Sequence, residues 1–366
     1  MSNISHNLLT RRSAMTLAAA AFGNALLTPS DASSNAVAAT AKGATGGGIP
    51  FGAAVHLEPF RNDPMLKKNL IEHVDLIAPM NALKWASLRY DEQKFDFSGA
   101  DEIIDFAEEN GKILHGHALL WYHANPQWLD QLDSPSKLER LLVEHTEAVM
   151  GRYAGRIATW DVVNEVVSHN PLGEGKWRAG VWYNALGPKH VDLAFKAAAA
   201  VDPNAKLFIN DYDLQDEGPR VEARQKAILS IVRRLQDKNI PVHGVGMQAH
   251  LYAERRVGRE NLGRFVKQLK AMGLTVAITE LDIIDWKLRA DTKARDRAVA
   301  NTAQEYLGAL TEFAEPEFIT TWGLNDRYSW IGETFPREDN AKARPLPFDE
   351  DWQAKPLFDV IRSFAQ

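Results

Sequence analysis

Two glutamates each close an otherwise apolar stretch of the chain, a setting in which a carboxylate can do acid–base or nucleophilic chemistry. Glu165 ends a run that begins at Trp160, and Glu280 ends a run that begins at Val276. Two carboxyl groups that flank a cleft suit the hydrolysis of a glycosidic bond, because one can act as a protonated acid while the other is an ionised nucleophile or base. Taken singly, either glutamate could instead cap a helix or form a salt bridge to a neighbouring strand.

The elements that position these carboxylates alternate between short apolar strands and amphipathic helices. Leu262, Phe265, Val266 and Leu269 show the helical spacing in one such unit. Eight strand–helix units predict parallel pairing and a closed (β/α)8 TIM barrel, in one catalytic domain over residues 49–366. An open doubly wound sheet is the alternative, disfavoured because no Gly-rich phosphate-binding turn follows the first strand. The predicted strands are Phe51–His56, Asp75–Asn81, Ile113–Trp121, Ala158–Glu165, Lys206–Tyr212, Val245–Leu251, Thr275–Asp282 and Phe318–Asn325.

Polar residues end every one of these predicted strands. In a barrel the carboxyl ends of the strands form the catalytic face, so these side chains are expected to surround one cleft. Glu165 and Glu280 fall on the fourth and seventh strands, on opposite sides of the barrel mouth. The polar ends are His56, Asn81, His117 with Trp121, Asn164 with Glu165, Asn210 with Asp211, Gln248 with His250, Glu280 with Asp282, and Trp322 with Asp326.

The composition narrows the chemistry further. The 366 residues include ten tryptophans and no cysteine, which excludes disulfides, thiolate zinc sites, iron–sulfur clusters and cysteine nucleophiles. A formal net charge of −6 without basic blocks argues against a nucleic-acid partner. Flat aromatic rings suit the CH faces of sugars, so we assign Trp85, Trp121, Trp322 and Trp330 to sugar-facing walls and Trp160 to barrel packing. The other five tryptophans are left unassigned.

Residues 1–39 are predicted to be an export signal that is removed from the mature protein. Arg11 and Arg12 precede a weakly apolar, Ala-rich run, and a small-residue cleavage pattern follows at residues 36–39. The arginine pair resembles a twin-arginine signal, with an ordinary secretory signal as the alternative, and either predicts a periplasmic or secreted protein. Residues 40–48 form a flexible Gly-rich segment. The run is too short to span a membrane, and we expect a monomer without membrane association after signal removal.

Seven motifs, in order and spacing, resemble the family-10 glycoside hydrolases, the endo-β-1,4-xylanases, over Phe51 to Phe364. Each motif alone is weak, but seven in register are specific. They are the stretches at residues 81–85 (NALKW), 116–121 (GHALLW), 160–165 (WDVVNE), 210–212 (NDY), 244–251 (GVGMQAHL), 278–282 (ITELD) and 322–330 (WGLNDRYSW).

The resemblance implies a retaining endo-β-1,4-xylanase that cleaves internal bonds of xylan or xylo-oligosaccharides through a covalent glycosyl-enzyme intermediate, without cofactor or metal. Glu165 would be the acid/base and Glu280 the nucleophile, with carboxyl groups about 5–5.5 Å apart. Asn164 would bind the 2-hydroxyl of the reacting sugar. His250 would hydrogen-bond to Glu280, and Asp282 would orient its imidazole. The remaining substrate-binding residues implied are Asn81, Lys84, His117 and Trp121 on the non-reducing side, Trp322 and Trp330 as aromatic walls, and Gln248.

Two positions depart from the family pattern on the side of the distal sugar. Met80 stands where the family usually has glutamate, and Ala124 stands where it usually has a polar residue, often glutamine. Because both usual residues contact sugar hydroxyls, we expect that pocket to be weakened or reshaped. The substrate would then be a decorated xylan, a short xylo-oligosaccharide or another β-1,4-glycan, unless Tyr122 or His123 replaces the lost groups.

Two other functions are compatible with a barrel. A metallohydrolase would need clustered ligands, but His56, His117 and His250 come singly from separate strands, and insensitivity to chelators would exclude it. A catalytically decayed carbohydrate-binding barrel would retain the sugar pocket without turnover. The presence of both Glu165 and Glu280 argues against the second.

Overall fold

The computed structural model describes residues 48–365, which form part of one compact unit. The predicted export signal and residues 40–47 of the predicted Gly-rich segment lie outside the described residues. Within residues 48–365, none of the helices combines the length and the apolar character that crossing a bilayer requires.

The strands form a closed parallel barrel. The first strand pairs with both the second and the last, and the segment after the fifth strand pairs with the strand that carries Glu280, so the main sheet closes on itself. The predicted (β/α)8 barrel is therefore confirmed, and the open sheet is wrong. The strands are β1 (Phe51–Val55), β2 (Leu76–Pro79), β3 (Ile113–Trp121), β4 (Thr159–Asn164), β5 (Lys206–Asp211), β6 (Gly244–Met247), β7 (His250–Tyr252), β8 (Thr275–Ile284) and β9 (Ile319–Thr321).

The sixth barrel strand is interrupted, which the sequence did not predict. The single strand expected over Val245–Leu251 is two segments, β6 and β7, and both pair in parallel with β8. Ala249 lies in the gap with a φ of 60°, a left-handed backbone conformation that breaks regular strand pairing. The interruption consists of Gln248 and Ala249, so it contains one predicted site residue and directly precedes another, His250.

Helices follow the strands and cover the barrel. The helix predicted from Leu262, Phe265, Val266 and Leu269 is confirmed, since all four are buried in the helix Arg259–Ala271. The described helices are α1 (Leu57–Asn62), α2 (Pro64–His73), α3 (Trp85–Leu88), α4 (Ser98–Glu109), α5 (Gln127–Asp130), α6 (Pro135–Arg152), α7 (Val181–Leu186), α8 (Lys189–Val201), α9 (Pro219–Asp237), α10 (Arg259–Ala271), α11 (Thr292–Thr311), α12 (Ile331–Thr334) and α13 (Pro356–Phe364), with a 3-10 turn at Asp326–Tyr328.

Trp160 on β4 is buried in the large core cluster, so its predicted packing role is confirmed. Its chain neighbours Thr159 and Asp161 both contact His115, so the indole lies on the opposite face of the strand. The Trp160 side chain is 1% exposed, and its register partner on β3 is Gly116. A Cβ atom on residue 116 would lie 2.2 Å from the Trp160 ring, so only glycine allows this contact. Close packing of this kind holds the strand ends that carry the site in fixed positions.

Candidate active site

Three amide side chains connect the carboxylates of Glu165 and Glu280 across the barrel mouth. Gln248 Nε2 donates to Glu165 Oε1 and to Asn164 Oδ1, both at 3.1 Å. Asn210 Nδ2 donates to Asn164 Oδ1 at 3.0 Å and to Glu280 Oε1 at 2.6 Å. The structure thus brings the two glutamates into one hydrogen-bond network, with groups supplied from β4, β5, β8 and the gap between β6 and β7.

Glu280 lies deep in this network and is only 4% exposed. Besides Asn210, it has His250 Nε2 at 3.2 Å from Oε2 and His117 Nδ1 at 3.9 Å from Oε1. Burial would raise the pKa of the Glu280 carboxyl, but the hydrogen bond from His250 and the charges of both imidazoles outweigh it and hold this pKa below its ordinary value. Glu280 is therefore ionised at neutral pH, as a nucleophile must be.

His250 is held between two carboxylates. Its Nδ1 lies 2.8 Å from Asp282 Oδ1 and its Nε2 faces Glu280. Burial lowers the pKa of the imidazole, but Asp282 and Glu280 together raise it to about 10, so both ring nitrogens donate at neutral pH. The other oxygen of Asp282 accepts a 2.8 Å hydrogen bond from Trp330 Nε1, which ties the indole to the same group.

Glu165 has a different environment, at the surface of the cleft. Its side chain is partly exposed. The residue directly follows β4 with a φ of 54°, and its backbone N–H donates to the Asn210 carbonyl at 2.8 Å. It lines a small pocket together with Trp121, Tyr122 and Arg178. One carboxylate is thus enclosed and charge-compensated, whereas the other is open to a ligand and to solvent.

Arg178 lies beside Glu165 and was missed in the sequence. Its Nε donates to the Glu165 carbonyl at 3.2 Å, and its Nη2 donates to the Tyr212 hydroxyl at 2.6 Å. The guanidinium also stacks 4.6 Å from the centre of the Tyr122 ring. Because Arg178 comes from the long loop after β4 and not from a strand end, the rule that located the other residues gave no signal for it.

Lys84 occupies the floor of the predicted pocket for non-reducing sugars. Its ammonium donates to Asn81 Oδ1 at 2.9 Å and lies 4.6 Å from the Trp121 ring and 5.6 Å from the Trp322 ring. Burial lowers the pKa of this ammonium, against the opposing charges of the two glutamates. The structure therefore groups Asn81, Lys84, Trp121 and Trp322 in one pocket next to the carboxylates.

His117 joins this pocket to the barrel interior. Its Nδ1 lies 2.8 Å from Asp161 Oδ2, which also faces His115 Nε2 at 2.9 Å, and its ring packs edge-on against Trp322. Burial would raise the pKa of Asp161, but the two imidazoles hold it below its usual range. Asp161 and His115 were missed in the sequence because they lie before the ends of their strands. His115 and His117 are two residues apart on β3, a spacing that places both side chains on the same face of the strand.

The assignment of Trp85 to a sugar-facing wall is wrong. Trp85 is 2% exposed, its Nε1 donates to the Leu119 carbonyl at 2.8 Å, and its ring stacks on His145 at 3.7 Å. Residue 85 begins helix α3, where successive side chains are rotated by about 100°. Lys84 therefore faces the cleft while the adjacent indole turns into the core.

The two unusual positions have distinct environments. Met80 packs against the apolar cluster of Ala54, Ala78 and Trp322, so an apolar side chain follows the end of β2. Ala124 has a φ of 54°, and its carbonyl accepts from the Ala86 N–H at 2.9 Å. Tyr122 stacks on Arg178, and the His123 ring packs edge-on against Trp121.

A metal centre finds no support within residues 48–365. No group of three or more His, Asp or Glu side chains in this range is arranged to hold an ion. His56 is exposed just before α1, where its ring accepts a hydrogen bond from the Glu58 N–H. Within the described part of the chain, it has no hydrogen bond to the groups that contact His117 or His250. The absence of a cofactor stays a prediction, which activity in the presence of a chelator would test.

Comparisons with known proteins agree on one family. The sequence model described as "Glycosyl hydrolase family 10" matches residues 39–364. An endo-1,4-beta-xylanase A of Humicola insolens is 34% identical over 76% of this chain and 71% of its own length. A beta-1,4-xylanase of Dictyoglomus thermophilum is 34% identical over 86% and 88%, respectively. Among solved structures, xylanase 10B of Thermotoga petrophila in complex with xylobiose has a TM-score of 0.79 and 26% identity, over 89% of this chain and 97% of that one.

Proposed function

The chain belongs to glycosyl hydrolase family 10, and we propose that Glu280 is its nucleophile and Glu165 its acid/base catalyst. The family and its xylanase relatives establish the activity, which is retaining hydrolysis of internal β-1,4-xylosidic bonds in xylan. The observation that carries the assignment is the contrast between the two carboxylates. Glu280 is enclosed by cationic and amide donors that keep it ionised, whereas Glu165 opens to the cleft where protons and water can exchange.

The mechanism follows from this contrast in two steps. First, a Glu280 oxygen forms a bond to the anomeric carbon, the bond from that carbon to the glycosidic oxygen breaks, and Glu165 gives its proton to the leaving oxygen. Then Glu165 takes a proton from water, the hydroxyl adds to the anomeric carbon, and the carboxylate of Glu280 is released. The two inversions at carbon retain the β configuration. Donors to Glu280 are most favourable when its charge is complete, before the first step and after the second.

The neighbouring side chains bind and orient the sugar. Asn164 uses its Oδ1 as acceptor for Gln248 and Asn210, so its amide nitrogen is left to donate toward the ligand, which suits contact with the 2-hydroxyl. Asn81, Lys84, His117 and Trp121 hold the sugars on the non-reducing side. Trp322 and Trp330 form the aromatic walls, and Gln248, His250 and Asp282 keep the carboxylates in place.

The test separates the two carboxylates by their chemical roles. On an aryl β-xylobioside whose leaving group needs no protonation, Glu165→Ala should still form the glycosyl-enzyme, and added azide should be trapped as the β-glycosyl azide. Glu280→Ala should abolish turnover of every substrate. The matched control is Glu260→Ala, which truncates an almost fully exposed glutamate on α10 and should leave rates unchanged. The same loss of turnover in both site variants, without azide rescue, would contradict the roles.

Assays of the unmodified protein test the two alternative functions. A decayed carbohydrate-binding barrel would show sugar binding without turnover in the unmodified protein. A hydrolase of another β-1,4-glycan would cleave that glycan faster than linear xylohexaose. Because the relatives are xylanases, we expect cleavage of xylohexaose at internal bonds.

We also propose that residues 1–39 export the protein and that it acts as a monomer. The paired Arg11 and Arg12 ahead of an Ala-rich run support export through a twin-arginine route. Replacing both arginines by lysine should retain xylanase activity in the cytoplasm, whereas unchanged export would favour an ordinary secretory signal. Light scattering of the mature protein checks the monomer.

A further inference from the structure

A cavity of about 490 Å³ opens beside the catalytic cleft, and Asn81 is the one residue of its lining to which a role has been assigned above. It is bounded by α1 along its length, by α3 and by the start of α4. Its lining includes His56, Glu58, Ser87 and Ser98, and one residue of the substrate pocket, Asn81. The volume lies in the range typical of small-ligand sites.

Asn81 connects this cavity to the cleft. Asn81 lines the cavity, and its Oδ1 accepts a hydrogen bond from the Lys84 ammonium. That ammonium in turn lies over the Trp121 and Trp322 rings. The adjacent Met80 packs against the apolar cluster that contains Trp322, and its thioether offers no donor and only a weak acceptor to a main-chain sugar. A sugar unit held beside Asn81 therefore meets an apolar wall at Met80 and an open cavity beyond Asn81.

The cavity wall presents unpaired hydrogen-bonding groups of both kinds. Within residues 48–365, no side chain or backbone group pairs with the Ser87 hydroxyl, the Asn81 amide nitrogen or the His56 Nε2. A hydroxyl both donates and accepts, and an amide nitrogen donates. This set matches a ligand that is rich in hydroxyl groups.

The charges on the wall disfavour an acidic ligand. Glu58 and Asp96 line the cavity, and the single lining cation, Arg61, is already paired with Glu102 at 2.7 Å. An incoming carboxylate would face two like charges and a compensated arginine. A neutral ligand meets no such penalty.

We propose that this cavity binds a neutral sugar branch, such as a pentose, carried by the xylose unit that lies beside Asn81. The proposal rests on the proposed function, since it needs a xylan chain in the cleft. Contacts to the branch replace the polar contact that Met80 cannot make to the main chain. The enzyme then selects xylans with uncharged branches over linear xylan and over xylans with uronic acid branches at that unit.

The test fills the cavity without altering the cleft. Ser87 is exposed on α3 and lines the cavity, so Ser87→Phe occupies the space, while Ala86→Phe adds the same side chain to the neighbouring exposed position, which does not line the cavity. The substrates are linear xylohexaose, an arabinose-substituted xylo-oligosaccharide and a glucuronic-acid-substituted one. Product mapping locates the branched unit relative to the cleaved bond.

We expect the ratio of kcat/KM on the arabinose-substituted substrate to that on xylohexaose to fall at least tenfold in Ser87→Phe and less than twofold in Ala86→Phe. Ser87→Ala, which removes only the hydroxyl, should lower the ratio by about threefold. An unchanged ratio in Ser87→Phe, an equal fall in both phenylalanine variants, or a preference of the unmodified enzyme for the uronic acid branch would overturn the proposal. Failure to cleave xylohexaose at all would instead contradict the proposed function.

Discussion

Asn210 is the residue through which the structure makes its sharpest kinetic prediction. It is fully buried, and its amide donates to Glu280 Oε1 at 2.6 Å while its carbonyl oxygen accepts from Thr279 Oγ1 at 2.7 Å. A hydrogen bond to a carboxylate contributes about 1.5–3 kcal/mol. The Glu280 charge is lost in the first chemical step and regained in the second, so Asn210 stabilises the departure of Glu280 from the sugar.

Asn210→Ala should therefore slow the second step more than the first. If the whole 1.5–3 kcal/mol is lost as the charge returns, kcat falls roughly 10- to 150-fold on substrates whose second step is limiting. The assay is stopped-flow turnover of an activated aryl β-xylobioside. We expect a larger initial burst, a lower steady-state rate and a lower KM, because the glycosyl-enzyme accumulates. The acid limb of kcat/KM should also move to higher pH, since the variant loses a donor to the ionised form of Glu280.

Thr279→Val provides the matched control, because it removes the hydrogen bond to Asn210 but keeps the size of the side chain and leaves the donor to Glu280 in place. Its kcat should fall by less than about tenfold, since a neutral hydrogen bond contributes about 0.5–1.5 kcal/mol. An Asn210→Ala enzyme with a raised KM and no burst would refute this reasoning, because it would mean that Asn210 serves substrate binding or folding and not the return of charge to Glu280.

Three further predictions concern stability and the sorting of tryptophans. The His250 pKa of about 10 exceeds its unfolded value, so its stabilising contribution is complete below pH 6.5 and is lost as pH rises toward 10; unfolding curves should show a decline in this window that His250→Gln lacks. Trp85→Ala should cost roughly 3–5 kcal/mol in chemical denaturation, whereas Trp121→Ala should mainly weaken sugar binding in calorimetry. Lys355→Met should lower the free energy of unfolding by about 3–5 kcal/mol, because it leaves the buried Asp326 carboxylate unpaired. Adding Asp326→Leu should restore much of that stability. If it does not, the ion pair itself stabilises the fold.

The barrel and the neighbourhood of its two glutamates could be predicted because both depend on simple periodicities. Parallel strands that alternate with helices bring their carboxyl ends to one face, so any polar residue that ends a strand is a candidate. That rule alone selects Glu165, Glu280 and His250 from the sequence. The chain positions of the strands were also predicted to within a few residues. The last predicted strand, Phe318–Asn325, is shorter in the structure, where β9 covers only Ile319–Thr321.

What the sequence could not predict depends on backbone direction over one or two residues. Trp85 adjoins Lys84 in the same motif, yet the rotation of about 100° between successive helical residues turns it into the core. Ala249 interrupts a strand with a left-handed backbone conformation, and because it is not a glycine that conformation has no signal in the sequence. Asn210 was noted as a strand end, but its bond to Glu280 requires the pairing of β5 with its neighbours to be known, and Arg178 arrives from a loop.

Glu165 and Ala249 both have left-handed backbone conformations, and at Glu165 selection for heat stability would conflict with catalysis. A non-glycine residue in that conformation costs on the order of 1 kcal/mol that glycine avoids, and one of the two positions carries a catalytic side chain. A library screened only for survival of heating should therefore enrich glycine at both positions. Glycine at position 165 would give a more heat-stable barrel that no longer cleaves its polymer. Screens for an industrial catalyst need an activity readout at every round.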